Sequence, residues 1–159
     1  MGSIVTSSPA LAAFAVALSI SAPAAAQDAR YVVDAKSMAG AFTRIGEPMV
    51  ADTPNELGPV FRHDKGEYFL TLAHCAGGTG CKTIQLRACY EYPNANVAKA
   101  NAWNRDKMFA RAAMAANGRL CIDMVYLALD GKIDDATLAG VVQMFREVRI
   151  AAPDAFNKP

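Results

Sequence analysis

The residues of this chain best suited to chemistry are its sulfurs. Cys75, Cys81, Cys89 and Cys121 are its four cysteines, and His63 and His74 are its two histidines. An even cysteine count behind an apolar leader reads as two disulfides, for which sequence alone permits three pairings. Cys75 and Cys81 bracket the glycine-rich stretch 76–80, so a bridge between them would close a tight turn and pin the register of two strands. On the chain-entropy model a loop this short contributes about 2 kcal/mol. The rival chemistry is thiol redox or metal binding by the same pair, with His63 and His74 recruited as further ligands. Five residues separate the thiols, against the two of a Cys-x-x-Cys motif. Zinc sites favour tighter ligand pairs and an exported compartment favours oxidation, so the structural bridge is the stronger reading.

Other catalytic patterns are missing. Neither histidine is accompanied by a Ser, Cys or carboxylate pattern, and there is no nucleophile elbow or metalloprotease helix motif. Gly77-Gly78-Thr79-Gly80 lacks the Lys and the following helix of a phosphate loop. Asp130-Gly131-Lys132-Ile133-Asp134 resembles the tail of a calcium loop. Aligned on Gly131, however, it puts Tyr126, Ala128 and Thr137 where acidic ligands belong. The expectation is a non-catalytic module with no cofactor and no metal.

Two further groups could bind a partner or hold the fold. Residues 97–117 read as the best-defined helix, with Asn96 as its cap and Gly118 as the glycine beyond its end. At helical spacing Val97, Met108, Phe109, Ala112 and Ala113 share one face, and Arg105 falls in its middle. A buried cation needs a partner, and Asp123 is the candidate for a structural ion pair with Arg105. Snorkelling of the Arg105 stem is the plainer alternative. Trp103 and Met114 point the other way, beside Arg111, which makes Trp103, Arg111 and Met114 a candidate partner-binding patch or a homodimer face. Ordinary packing of the indole against a neighbouring helix or loop is the bland reading.

The elements that must position these groups follow from periodicity. Residues 34–45 form a first helix capped by Asp34, with Met38, Ala41, Phe42 and Ile45 as its stripe and Gly46 as its end. A short edge strand at 48–53 precedes a turn at 53–59. Residues 60–64 and 67–75 read as a hairpin around Lys65-Gly66, and residues 81–92 as the next strand. In that strand Ile84, Leu86, Ala88 and Tyr90 face one way, with Thr83, Gln85, Arg87 and Cys89 facing the other. Residues 119–129 alternate likewise, and Cys121 shares the polar parity of Cys89, so a second bridge is feasible if these strands are neighbours. Asp134 caps a last helix carrying Leu138, Val141, Val142, Phe145 and Val148, which Pro153 is expected to end. The sum is an α+β domain: an antiparallel sheet of about five strands with three helices.

Before that domain, residues 11–20 are apolar and Pro23-Ala24-Ala25-Ala26 offers small residues, so residues 1–26 read as a signal peptide and residues 27–159 as one domain. The apolar run is too short to span a bilayer of about 30 Å. Residues 1–10 lack the usual basic n-region. The formal net charge of +1 gives no field for nucleic acid and no reason for stable membrane association. A periplasmic or secreted location is the expectation from the leader and the cysteines.

Trp103-Asn104-Arg105 with Phe109-Ala110-Arg111-Ala112, preceded by Cys81-Lys82-Thr83-Ile84-Gln85-Leu86, resembles the YbjN family of bacterial sensory-transduction regulators. Leu120-Cys121-Ile122-Asp123-Met124 and residues 131–138 add to the likeness, which spans roughly residues 34–150. The resemblance implies a fold similar to type III secretion chaperones and a regulatory or partner-binding role, with no enzyme activity to carry over. Ala113-Met114 stands where an aromatic often follows the Arg-Ala, and the leader sets this chain apart from cytoplasmic members.

Overall fold

The computed structural model describes residues 29–158, so the signal peptide expected at residues 1–26 lies outside the described residues. Tyr31–Val32 (β1) leads into Ala35–Arg44 (α1). Asp34 accepts a 2.8 Å bond from the Ser37 N–H, and Met38, Ala41 and Phe42 are buried, as the stripe requires. The helix stops at Ile45 because Gly46, at φ 80°, takes the left-handed turn that side chains resist.

Met49–Asn55 (β2), Gly58–His63 (β3), Phe69–Ala73 (β4) and Thr83–Tyr90 (β5) follow as antiparallel neighbours. β2 runs two residues past the expected Thr53. The Asn55 side-chain oxygen then closes the turn by accepting from the Leu57 and Gly58 N–H groups at 2.9 and 3.3 Å. Gly58 has to be glycine, since a Cβ there would lie 2.3 Å from the Leu72 carbonyl oxygen. The hairpin around Lys65-Gly66 forms as expected, with Gly66 at φ 70° donating to the His63 carbonyl at 2.7 Å.

The stretch at 97–117 departs from the sequence expectation. Asn96 does cap a helix, but Val97–Asp106 (α2) ends at an extended Lys107, and Arg111–Met114 is a strand (β6) paired with Leu120–Leu127 (β7). Alanine fits helical and strand periods alike, so the Ala-rich run could not reveal the change. What decides it is tertiary. β7 offers a ladder, Gly118 at φ 81° turns the chain back onto it, and the Asn104 amide grips Ala112 from the outer side. Asn104 accepts from the Ala112 N–H at 2.7 Å and donates to its carbonyl at 2.9 Å, so β6 leaves that pair of edge groups satisfied.

Lys132–Ile133 (β8) pairs with β1, and Asp135–Phe156 (α3) begins on Asp134, which accepts from the Thr137 N–H at 2.7 Å. Pro153 does not end α3, contrary to expectation: the helix carries it internally for another turn. Burial of Ala152 and Phe156 on either side outweighs the one bond its missing N–H forfeits, and Asn157 N–H still reaches the Pro153 carbonyl at 2.9 Å.

The result is an α+β fold with a six-stranded antiparallel sheet in the order β2-β3-β4-β5-β7-β6 and a two-stranded β1-β8 sheet, against about five strands expected. One face supplies Leu70, Leu72, Ile84, Leu86, Ile122 and Met124 to the core, where they join Met38, Phe42, Leu138 and Phe145 of the helices. The other face carries Gln85, Arg87, Cys89 and Asp123, so the expected dry and wet sides are present. No helix among the described residues is long and apolar enough to cross a membrane.

Candidate functional site

Both expected cysteine pairs are bonded, Cys75–Cys81 at 2.10 Å and Cys89–Cys121 at 2.06 Å. Cys89 and Cys121 stand directly opposite each other on β5 and β7, as their shared parity requires. No cysteine is free among the described residues. Among the same residues no cluster of three or more His, Cys, Asp or Glu is placed to hold a metal ion.

Two placements read from the helical wheel need correction. Trp103 is not outward: it is 5% exposed and packs on Phe156 of α3, with ring centroids 5.3 Å apart. Lys107 Nζ lies over the ring, 5.4 Å from its centroid. An indole buried within one molecule is not available as a partner anchor or a homodimer contact. The Arg105–Asp123 pair does not form either. Arg105 is exposed on the last turn of α2, because the helix rotates Trp103, not Arg105, toward the core. Asp123 instead takes Arg87 across the strands at 2.6 and 3.0 Å, with Gln85 donating at 3.1 Å. That contact, more than any other, holds the Arg87 guanidinium above its usual pKa.

Of the expected partner-binding residues, Arg111 is exposed at the start of β6 and Met114 is half-buried at its end. Arg111 borders an apolar groove of about 540 Å³, which Trp103 and Met114 do not line. Its floor is the second half of β7, Met124 to Leu127. One wall is Met108 and Phe109 in the α2–β6 connection, and the other is Val141 and Met144 of α3. Met108 is 87% and Phe109 61% exposed, while Val125 and Leu127 are 52% and 57% exposed. Met108 and Phe109 escaped the sequence reading because a continuous helix would have folded both onto the core face. The signal that could have found them is two large apolar residues set between Lys107 and Arg111 in a non-helical link.

A second, polar cluster lies around buried Glu47, which the sequence reading also missed. Glu47 accepts from the Tyr68 hydroxyl at 2.9 Å and from Arg146, and His63 Nε2 lies 3.3 Å away. Burial and the neighbouring Glu47 push the Tyr68 hydroxyl far above the usual tyrosine range, so it stays a donor. Each carboxylate oxygen of Glu47 has a donor and His63 stacks on Tyr68 at 4.8 Å, while the buried His63 Nδ1 has no hydrogen-bond partner among the described residues. Nothing in the sequence spacing announces it, since its members come from the α1–β2 link, the β3–β4 hairpin and α3.

Compared with protein-family models, with curated proteins and with solved structures, the chain matches none.

Proposed function

We propose that this chain is an exported, non-catalytic binding module, periplasmic or secreted, whose partner is a protein or peptide. The observation that carries the reading is the groove with Met108 and Phe109 standing open beside β7. Contiguous apolar side chains left in water on a domain of this size mark a surface made to be covered. Two disulfides and the apolar leader at residues 11–20 support an oxidising compartment. The likeness of residues 103–105 and 109–112 to the YbjN family belongs to the same proposal, and with it a chaperone-like or envelope-sensing role. Residues 109 and 111 of that motif border the groove.

The test is capture from an envelope extract on the immobilised, oxidised protein, with Met108→Asp and Phe109→Asp beside the wild type. Both side chains are exposed, so the substitutions are expected to leave the melting temperature within the range of ordinary surface changes. The captured set is expected to disappear in both variants. Unaltered capture with either charge in the groove overturns the reading.

A further inference from the structure

The groove floor has a second property, legible only from the ladder. In antiparallel pairs, residues alternate between exchanging both backbone bonds with one neighbour strand and turning them to the other side. The Ala128 N–H donates to the Lys82 carbonyl at 2.9 Å, and the Ala115 N–H donates to the Arg119 carbonyl at 2.8 Å. Counting along β7 in twos from these anchors, Met124 and Tyr126 bond to β5, whereas Asp123, Val125 and Leu127 turn their N–H and C=O groups to the opposite side. On that side β6 pairs as far as Asp123 and goes no further. Val125 and Leu127 therefore present two donors and two acceptors along the groove with no strand beside them.

The opposite edge of the sheet is unlike this one. β2 carries Pro54, a register irregularity between Asp52 and Asn55, and an Asp52 carboxylate that accepts from the Thr53 N–H at 2.7 Å. Those are the usual protections of an edge against pairing. The β7 edge has none of them and is walled by apolar side chains.

We propose, on the basis of the binding role above, that this edge receives the apolar C-terminal tail of a partner protein as an added antiparallel strand. A strand antiparallel to β7 in this position runs in the same direction as β6 and in line with it, so its carboxyl end meets Arg111. β6 itself blocks the track there, which favours a chain that ends over one that continues. Arg111 is exposed, and its cross-strand neighbour Asp123 is already committed to Arg87 and Gln85. The guanidinium is thus free to meet a terminal carboxylate, while Met124 and Tyr126 on one face and Val125 and Leu127 on the other select apolar side chains.

The probe is a fluorescein-labelled peptide, Gly-Ser-Gly-Ser-Val-Leu-Val-Leu with a free carboxyl end, read by anisotropy on the oxidised protein. Controls are its C-terminal amide, versions N-methylated at one or the other of its two inner apolar positions, and Arg111→Glu protein. Binding is expected to weaken by about tenfold or more with the amide and with Arg111→Glu. It is also expected to be lost with methylation at one inner position and retained at the other, because only alternate amides face β7. Equal binding of acid and amide, or equal tolerance of both methylations, overturns the proposal. No binding of the peptide while Met108→Asp still abolishes capture from the extract overturns strand addition and leaves the groove reading standing. A wild-type dimer in sedimentation that dissociates on Val125→Lys also overturns it, by making a second copy of this chain the occupant.

Discussion

Trp103 shows how a single side chain changes meaning once its neighbours are known. On a wheel of residues 97–117 it stands among Lys99, Asp106, Lys107 and Arg111, yet the helix ends at Asp106 and the indole sits against Phe156. Trp103→Ala is therefore expected to destabilise by about 3–5 kcal/mol, the usual cost of deleting a buried aromatic. Urea unfolding of the oxidised protein measures it; a loss below about 1 kcal/mol, typical of surface positions, would show that the ring is not core. Arg105 moves the opposite way, from expected core cation to solvent, and Asp123 finds Arg87 because β5 and β7 set the two directly opposite. Pairing partners of this kind are chosen by strand order, which no local spacing encodes.

At the scale of elements, the β5–β7 pair is the spine, and its sulfur bridge joins residues 32 apart in sequence, against 6 for the turn bridge. If restriction of the unfolded chain dominates, Cys89→Ser with Cys121→Ser is expected to cost about 3–4 kcal/mol, and Cys75→Ser with Cys81→Ser about 2 kcal/mol. Urea midpoints of the two double variants test the order; an equal or reversed order would show that local contacts, not loop closure, carry the effect. The alternation of β5 and of β7 was legible because Ile, Leu and charged residues alternate cleanly there. That same legibility placed Cys89 and Cys121 on one face. The β6 strand was not legible, since Arg-Ala-Ala-Met has no period of its own and depends on β7 and on Asn104 for its shape.

For the molecule as a whole, the terminal regions are fastened to the body by carboxylates. Asp135 binds Arg44 between α3 and α1 at 2.7 and 2.8 Å, and Asp130 binds Arg30 at 2.6 and 3.1 Å. Asp134 caps α3. The arginines, and for Asp134 the Thr137 N–H, hold all three carboxyls below the ordinary value of 3.8. Because the folded values are depressed, this stabilisation is complete above about pH 4 and is lost as the pH falls through the folded values. The melting temperature is expected to drop below pH 4, and Asp135→Asn is expected to lower it at neutral pH while flattening that acid slope. An acid slope as steep in Asp135→Asn as in the wild type would sever the link. At the alkaline end the sign is opposite: the raised Tyr68 favours the folded state up to the ordinary tyrosine value of 10.0 and loses that support as its hydroxyl ionises.

Local chemistry alone determined the caps at Asp34, Asn96 and Asp134, the turns at Gly46 and Gly66, and the faces of β5 and β7, because each depends on a few neighbouring residues and a fixed period. The short stretch 76–80 pointed to the Cys75–Cys81 bridge and strand parity made Cys89–Cys121 feasible, while the strand order that sets β5 beside β7 decided the second. Only tertiary structure decided where α2 stops, that Trp103 is core, that Pro153 stays inside a helix, and that half of β7 lacks a strand on the side that β6 pairs. Each of those outcomes weighs a local preference against burial or pairing with residues distant in the chain, and the distant term is the larger.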